Sequence, residues 1–457
     1  MRFLRRFSML LAVVVLLPLL LWCLAPPHLV LPPEDAVRNL ETALPVFPCA
    51  EGFGVDTPAG RGGAIIAVTS LSDAGPGTLR EALQTPGGRV VVFECAGQIH
   101  LASNIEISQP FVTVAGQTAP APGITLRDAG LNIVTHDVLV QHIAVRVGDQ
   151  SEGPPPDARD GISVYPGNEG AYRVVVDHCS VSWAVDEDMS HWGKGVHDVT
   201  FRNCLAGEGL SHSIHPKGEH SKGLLMGDFG QRIAVIGCLF ADNVMRNPFV
   251  KGGVTALIAN NVIYNPGDSA IHLGDAEHSG PSWVSAAGNV LLPGPDTPWY
   301  IALAWVQGDA HPDARLALYG NDSRGYRLWH AWRRSNAPAN ITNWMDAPVR
   351  VSPLTLRDSG DTVDWVTAQA GSRPAMRDPV DARIVEGMRT GSGRIIDHPE
   401  DVGGLPDILP VYQALSLPSE PEEDADHDGY TNLEEWLHER ARIVEGRPEA
   451  APKKQKP

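Results

Sequence analysis

The chain has 457 residues, enough for one large domain with additions or for two to three domains. It contains 36 Lys and Arg against 54 Asp and Glu, and the resulting formal net charge of −18 argues against a nucleic-acid-binding protein. The 46 glycines and 38 prolines favour a fold with many turns.

The N-terminus has the composition of an export signal. Three arginines precede an apolar stretch from Met9 to Leu24. A basic segment followed by an apolar segment is typical of secretory signal peptides. We therefore predict that residues 1–30 are a signal peptide or a membrane anchor. The protein would then be secreted, extracellular or periplasmic, or held at a membrane. Residues 31–46 are Pro-rich and are predicted to be a linker.

One short pattern recurs between Tyr172 and Leu292. β-prone residues lead to a Cys or Asn, and another apolar run follows. The repeated positions are Cys179, Cys204, Cys238, Asn261 and Asn289. Irregular repeats of this length are typical of short strands stacked in a coil, and runs rich in Val and Ile are typical of buried parallel strands. We predict an all-β fold, a right-handed parallel β-helix over residues 47–300, with a long groove suited to a polymer.

The cysteines fall into two sets. Because Cys179, Cys204 and Cys238 share one repeat position, they are expected to stack as small buried thiols inside the coil. Cys49 and Cys95 lie outside the repeat. In an exported protein they could form a disulfide, and two unpaired thiols are the alternative.

Elements outside the repeat are predicted as follows. A short helix near residues 79–83 would cap the N-terminal end of the coil. Residues 301–420 are expected to be an irregular region packed on the β-helix. Residues 421–440 form an EF-hand-like calcium loop, and residues 441–457 are expected to be a disordered tail.

The calcium loop is read from positions 424–435. Carboxylates stand at positions 1, 3 and 5, a glycine stands at 6 for the sharp turn, and a glutamate stands at 12 for bidentate binding. The expected role is structural. The predicted ligands are Asp424, Asp426, Asp428, Tyr430 (through its backbone carbonyl), Asn432 and Glu435.

Four motifs in the centre of the chain carry a family resemblance. The segment 176–183 reads VDHCSVSW, and Asp186-Glu187, His220-Ser-Lys222 and Arg246-Asn-Pro248 follow it. In order and spacing they resemble the pectate lyases of the extracellular bacterial type, polysaccharide lyase family 1. The resemblance implies a monomer that uses Ca²⁺ and cleaves an acidic polysaccharide, polygalacturonate or pectin, by β-elimination.

The resemblance also implies a calcium site. Asp177 matches a calcium-binding aspartate, and Asp186 and Glu187 stand where the family has a second acidic cluster. Many members have two aspartates four residues apart at this point, whereas Ser190 and His191 stand four residues after Asp186 and Glu187. Asp160 and Asp188 are therefore further candidates for the calcium shell.

The basic residues of the motifs are expected at the reacting sugar. Arg246 matches the catalytic arginine. Because a guanidinium normally stays protonated, it either abstracts the C5 proton or stabilises the resulting anion. Lys222 is expected to contact a substrate carboxylate and to take part in catalysis, and Lys251 and His220 are expected at the substrate. His178 and His220 are expected to be structural hydrogen-bonding groups and not acids or bases.

Two other functions remain open at this point. A non-catalytic β-helix could bind acidic glycans, since fold alone does not decide function. A β-helix hydrolase of galacturonan could use carboxylates from Asp186, Glu187 and Asp188. Ultraviolet absorbance of the product separates the three, because only elimination makes an unsaturated sugar.

Overall fold

The computed structural model describes residues 34–274, 279–324, 332–334, 340–343 and 347–448. The predicted signal peptide or anchor, residues 1–30, lies outside the described residues. In the part of the chain that is described, no helix is both long and apolar enough to cross a bilayer.

Sheet A is the first of three long sheets and contains 11 strands in the described residues, all parallel. Each strand pairs with the equivalent strand of the next coil, as Val174 does with Val138 and Val199. The strands are Ala64–Val68, Arg89–Phe93, Val112–Ala115, Val138–Gln141, Ala171–Asp177, Val196–Arg202, Gln231–Ile236, Thr255–Ala259, Trp283–Ala287, Arg315–Tyr319 and Asn340–Asn343.

Sheet B follows sheet A around each coil and contains ten described strands. Nine are parallel, and the tenth, Val411–Tyr412, pairs antiparallel with Cys95–His100. The strands are Cys95–His100, Ile124–Arg127, Ile143–Arg146, Ser180–Ser182, Leu205–Gly207, Leu239–Ala241, Val262–Tyr264, Val290–Leu292, Asp322–Ser323 and Val411–Tyr412.

Sheet C completes each coil and contains nine described strands, all parallel. The chain runs from sheet A to B to C and then returns to A, so the predicted parallel β-helix is confirmed. The strands are Ile105–Ile107, Leu131–Ile133, Ile162–Val164, Glu187–His191, Lys222–Met226, Phe249–Val250, Ile271–Leu273, Ala304–Val306 and Trp332–Arg334.

The interior of the coil is filled by aliphatic and aromatic side chains from all three sheets. Phe93, Val176 and Phe201 of sheet A meet Val145 of sheet B and Met189 of sheet C in one fully buried core. Each such side chain contributes about 1.5–3 kcal/mol when it leaves water. Because every coil donates residues to this core, stacking of neighbours stabilises strands that are too short to be stable alone.

The repeated Cys and Asn side chains form a ladder inside the turn between sheets A and B. The Asn261 amide donates to the side-chain oxygen of Asn289 at 2.9 Å, and the backbone N–H of Cys238 donates to Asn261 at 2.8 Å. Cys179, Cys204 and Cys238 are fully buried free thiols, as expected. Among the described residues Cys49 and Cys95 are free as well, so the disulfide alternative is wrong.

The predicted boundaries of the coil are corrected by the structure. Residues 301–420 are not uniformly irregular, because Ala304–Val306 and Arg315–Tyr319 continue sheets C and A. Residues 31–46 are not a free linker, because Val37–Asn39 pairs in parallel with Arg350–Ser352. In both cases strands of three to five residues are too short to give a clear period in the sequence.

In the described residues four α-helices lie at the ends and on the outside of the coil: α1 Leu79–Gln84, α2 Ser359–Gln369, α3 Pro379–Thr390 and α4 Asn432–Glu445. Helix α1 is the expected capping helix, and Asp381 of helix α3 accepts from the buried Arg146 of sheet B at 2.6 Å. The predicted disordered tail, 441–457, is helical as far as Glu445, because Ala441 and Val444 are buried. Residues 449–457 lie outside the described residues.

Short 3₁₀ turns connect several of these elements. They span Glu34–Ala36, Gly116–Thr118, Pro156–Ala158, Pro374–Met376 and Pro399–Val402.

The segments at both ends of the chain cover two of the three sheets. Helices α2 and α3 pack apolar side chains on sheet B, and helix α4 packs Leu433 and Leu437 on the first strands of sheet A. The N-terminal segment covers further strands of sheet A through Phe47 and Phe53. Sheet C carries the polar groove described next.

Candidate active site

A cavity of about 670 Å³ lies along the outside of sheet C. Its walls combine three carboxylates, four cationic side chains and several aromatic rings. We refer to it as the groove. It is lined by Asp160, Ser163, Tyr165, Pro166, Asp186, Glu187, Ser190, Trp192, Gly193, Lys217, Lys222, Leu225, Arg246, Phe249 and Lys251.

The register of sheet C places the functional side chains on successive coils. Glu187 pairs with Lys222 across two neighbouring strands, and Lys222 forms a bridge with Met245 on the next coil. Arg246 therefore follows directly in the third coil. Its backbone has a φ of 62°, in the left-handed region that non-glycine residues seldom adopt. This conformation turns the chain just before the strand Phe249–Val250, and the guanidinium lies beside Glu187.

Three carboxylates converge in the groove. Oxygen atoms of Asp160, Asp186 and Glu187 all lie within 4.8 Å of one another. Asp160 accepts hydrogen bonds from the hydroxyls of Ser163 at 2.8 Å and Ser190 at 3.0 Å. Burial and the charge of Asp186 raise the pKa of Asp160 above its ordinary value. The cluster therefore resists full ionisation unless more positive charge is present.

Asp186 is held by two imidazoles and an ammonium. Its oxygens lie 3.3 Å from His220 Nε2, 3.6 Å from His215 Nε2 and 3.7 Å from Lys222 Nζ. The two histidine rings stack with centroids 3.4 Å apart. Burial alone would raise the pKa of Asp186, but the hydrogen bond to His220 and the charge of Lys222 hold it below its ordinary value. Asp186 is thus the carboxylate of the cluster that stays charged most readily.

Glu187 and Arg246 form an ion pair at the centre of the groove. The guanidinium also lies 5.5 Å from the centroid of the Phe249 ring, which fixes it by a cation–π contact. Burial, followed by the charge of Asp160, raises the pKa of Glu187 well above its ordinary value, and Arg246 opposes this rise. The arginine is therefore held in place by groups that leave part of its side chain accessible from the groove.

The two lysines of the motifs lie on the same wall. Burial, reinforced by the charge of Arg246, lowers the pKa of Lys222 to about 8. Lys251 Nζ lies 3.3 Å from Asp228 and 4.4 Å from the centroid of the Trp192 ring. The structure thus brings the predicted residues Asp186, Glu187, His220, Lys222, Arg246 and Lys251 together around one groove.

Asp177 is not part of this arrangement, and its prediction as a ligand beside Asp186 is wrong. It lies at the end of a strand of sheet A, where its oxygens accept from Arg202 at 2.8 Å and Gln141 at 3.0 Å. It lines a different cavity. The Asp-His motif marks the buried turn between sheets A and B and not the groove.

Asp160 takes the place expected of Asp177. It lies just before the strand Ile162–Val164, as Asp186 lies just before Glu187–His191, and the two strands pair in register. Asp188, the other candidate, is fully buried and does not line the groove. The sequence could have indicated this pairing, because Asp160 and Asp186 each stand just before a strand of adjacent coils.

The residues present fit a calcium ion. Calcium prefers oxygen ligands and accepts carboxylates in mono- or bidentate form. Asp160, Asp186 and Glu187 supply such oxygens, and the raised pKa of Asp160 and Glu187 indicates that nearby cationic side chains only partly compensate their charge. A divalent cation would complete that compensation.

The EF-hand-like loop is partly assembled. Carboxylate oxygens of Asp424, Asp426 and Asp428 lie within 4.8 Å of one another, and Asp424 accepts from the backbone N–H of Gly429 at 3.0 Å. Glu435, the predicted bidentate ligand, does not belong to this carboxylate cluster.

The ligand roles predicted for the Tyr430 backbone carbonyl and for Asn432 stay predictions. Asn432 donates its side-chain amide to the backbone oxygen of Glu420 at 2.8 Å. The side chains of Tyr430 and Glu435 line the cavity that also contains Asp177. The loop therefore fits a cation through its first three carboxylates.

Several groove residues were missed at the sequence level. His215, Lys217 and Trp192 carry no motif that identifies them. Lys217 and His215 belong to the loop before Lys222, and Trp192 follows the strand that contains Ser190. They reach the groove because sheet C brings the ends of neighbouring strands together.

No protein-family model matches the chain. Among curated proteins, the chain is 31% identical over 429 residues to the "Probable pectate lyase C" of Aspergillus flavus, covering 88% of this chain and 96% of that protein. The protein of the same name from Aspergillus oryzae gives the same identity and coverage.

Solved structures show the same fold at low sequence identity. The major allergen from cedar pollen gives a TM-score of 0.52 at 16% identity, covering 71% of this chain and 93% of that one. A pectate lyase from Bacillus subtilis gives a TM-score of 0.50 at 12% identity, covering 72% and 98%. At these identities the structural likeness supports the fold alone.

Proposed function

Because the chain belongs to the pectate lyase family and is therefore a polysaccharide lyase, we propose that its groove cleaves polygalacturonate by calcium-dependent β-elimination. The observation that carries the proposal is the convergence of Asp160, Asp186 and Glu187 opposite Lys222 and Arg246. The carboxylates would hold Ca²⁺, and the basic side chains face the space that remains.

Binding of an acidic polymer is supported by the basic side chains along the groove. Lys217 and Lys222 lie on one coil, in and just after a loop, and Arg246 and Lys251 lie on the next coil. The carboxylates of a polygalacturonate chain repeat along its length and can pair with such a series of charges. Trp192, whose side chain is exposed at the edge of the groove, offers an apolar face for a sugar ring.

The reaction removes the C5 proton of a galacturonate and breaks the C4–O4 bond of the same sugar, so that a C4=C5 double bond forms. The departing oxygen stays on the neighbouring sugar and takes up a proton from solvent water. Arg246 faces this proton and either takes it or stabilises the charge that develops on the sugar carboxylate. Its ion pair with Glu187 and its contact with Phe249 fix its direction before the substrate arrives. Lys222 lies beside the same carboxylates and neutralises the substrate carboxylate.

Calcium, held by Asp160, Asp186 and Glu187, would withdraw charge from a sugar carboxylate and so make the neighbouring C5 proton more acidic. His215 and His220 orient Asp186 toward the groove. Export and a monomeric state belong to the same proposal, with an N-terminal anchor as the alternative to release. The basic and apolar residues at the N-terminus support export.

The test measures ultraviolet absorbance after polygalacturonate and calcium are added to the purified protein. We expect an absorbing, unsaturated product. Arg246→Ala is expected to lose roughly a thousandfold or more in kcat, because the group acts mainly in the transition state. Arg389→Ala, on the exposed face of α3, is the matched control and keeps normal turnover.

Three outcomes would contradict the proposal. New reducing ends without absorbance would indicate a hydrolase, and binding without any cleavage would indicate a glycan-binding protein. Near-normal turnover by Arg246→Ala would remove the assigned role of that residue.

A further inference from the structure

A second cluster of metal-binding side chains lies away from the groove, beneath helix α4. His142, His178 and Glu445 are all buried, and one ligand atom from each lies within 4.8 Å of the other two. The two imidazole rings stack with centroids 5.2 Å apart. None of these residues takes part in the proposed reaction.

The histidines occupy an unusual backbone position. Gln141 pairs with Asp177 in sheet A, so the next residues, His142 and His178, lie one above the other on adjacent coils. Both have left-handed φ values, 58° and 49°. The next coil has Asn203 at the equivalent position, in the same conformation. Asn, Asp and His adopt this conformation more readily than other non-glycine residues, so the turn accepts both histidines and aligns their rings on adjacent coils.

The hydrogen bonds prepare both rings for a cation. His142 Nδ1 lies 2.8 Å from the backbone oxygen of Ser372, and His178 Nδ1 lies 2.8 Å from Asp177 Oδ2. A carbonyl oxygen only accepts, so Nδ1 of His142 carries the proton, and the carboxylate favours the same tautomer of His178. The lone pair of each neutral ring is then on Nε2.

Neither Nε2 atom has a hydrogen-bond partner among the described residues. A buried polar atom without a partner costs about 1–3 kcal/mol. Metal-binding histidines in proteins characteristically donate the other ring N–H to a carboxylate or a backbone carbonyl, which is the pattern of these two rings.

Glu445 completes the cluster from the last turn of helix α4. Its Oε1 lies 3.4 Å from His142 Nε2 and 3.7 Å from Nδ1 of His178, the nitrogen that also faces Asp177. The negative end of the helix dipole also favours a cation there. Arg447 pairs with the other oxygen of Glu445, and Arg202 pairs with Asp177. These two ion pairs offset the negative charge of Glu445 and Asp177. They provide no hydrogen-bond donor to the Nε2 atom of either imidazole.

We propose that His142, His178 and Glu445 bind a zinc ion that attaches helix α4 to the β-helix. Two imidazoles and one carboxylate are a ligand set that zinc favours, whereas calcium prefers oxygen alone. A cavity of about 410 Å³ adjoins Glu445 and leaves room for water as a further ligand. The site is independent of the lyase reaction.

The test titrates ZnCl₂ into the full-length protein by calorimetry, in saturating calcium so that the oxygen-rich clusters at Asp160 and Asp424 are occupied. Wild type is expected to bind a single zinc ion. His178→Gln is expected to weaken this binding at least roughly a hundredfold. His220→Gln, in the other histidine pair of the described chain, is the matched control and retains zinc binding.

The absence of zinc binding by wild type would overturn the proposal and indicate an imidazolium–glutamate ion pair instead. Loss of zinc in His220→Gln with retention in His178→Gln would place the ion at the groove and also overturn it. If His178→Gln does not fold, Asp177→Asn serves instead. It keeps all three ligands and is expected to weaken zinc about 10–100-fold.

Discussion

Two aspartates predicted as calcium ligands, Asp160 and Asp177, lie in different parts of the structure. Asp160 lies with Asp186 and Glu187, whereas Asp177 pairs with Arg202 under sheet A. Asp160→Asn is therefore expected to raise the calcium concentration needed for half-maximal lyase activity by roughly tenfold or more, because a charged ligand is lost. The measurement is initial rate against free calcium.

Asp177→Asn is the matched control, since it changes the same chemical group outside the groove. Its calcium requirement should equal that of wild type. A shift in Asp177→Asn with none in Asp160→Asn would restore the assignment made from the motif.

The sequence identified the residues of the catalytic motifs, because Lys222 and Arg246 stand in short segments with fixed spacing. It gave Asp160 only as a further candidate after Asp177, because Asp160 lies 17 residues earlier, in a loop of the preceding coil and outside the motifs. Asp160 lies near Asp186 and Glu187 because Ser163 pairs with Ser190 on the next coil. This register between strands cannot be predicted from the local sequence.

Asp198 gives a pH dependence of stability. Burial would raise its pKa, but hydrogen bonds from Arg232 and His197 lower it to about 2 from the ordinary 3.8. A carboxylate with a lowered folded-state pKa stabilises the fold above its unfolded pKa and loses this contribution as pH falls through the folded value. The loss, on the order of 2 kcal/mol, should occur between pH about 4 and about 2.

The measurement is Tm against pH for wild type and Asp198→Asn. As pH falls through this window, the Tm of wild type should decrease more than that of the variant, because the asparagine side chain that Asp198→Asn introduces does not titrate. Parallel curves for the two proteins would refute the assignment.

At the scale of elements, the acidic loop and helix α4 form one unit. Thr431 caps the helix by accepting from Glu434, and Asp424 orders the loop just before it. Calcium on this loop is expected to stabilise the docked helix without affecting the groove. Asp426→Asn should reduce the rise of Tm on calcium addition by a few degrees and leave kcat unchanged.

Thermal unfolding with calcium and with chelator provides the comparison. In chelator the variant and wild type should melt together. An unchanged calcium response would show that the loop does not bind the ion, and a loss of kcat in the folded variant would connect the loop to catalysis.

Elements were predicted well where the apolar runs were long and poorly where they were short. The coils up to about residue 292 carry Val- and Ile-rich strands with the Cys or Asn ladder between them. The next coil has Asn321 in the ladder, which donates to the backbone of Ala286, but its strand Asp322–Ser323 is short and polar. Pairing with the preceding coil determines this strand more than its own composition does.

The helices of the C-terminal region had local signals that the pattern of strands obscured. Asp378 before Pro379 and Gly391 after Thr390 are a start and a stop for helix α3. These local signals do not predict the surface on which helix α3 packs. Arg146 of sheet B decides this by pairing with Asp378 and Asp381 across more than 200 residues of chain.

At the scale of the molecule, the two ends of the chain determine where a polymer can bind. The N-terminal segment and helix α4 cover sheet A, and helices α2 and α3 cover sheet B, because the outward side chains of those sheets are apolar. Sheet C instead lines its groove with the polar residues Ser163 and Ser190 and with charged side chains. A long substrate therefore has a continuous path along one face of the coil.

The net charge of −18 opposes this polymer, so local charge must overcome global repulsion. Lys251→Ala is expected to raise KM for polygalacturonate roughly fivefold to tenfold, with a smaller change in kcat, because its ammonium lies in the groove away from the Glu187–Arg246 pair. Lys194→Ala removes the same charge from outside the groove, where it contacts Phe229. Kinetics at low and high salt separate the two variants, since screening weakens exposed charge interactions. Equal KM values for the two variants would mean that total charge, and not the groove, controls binding.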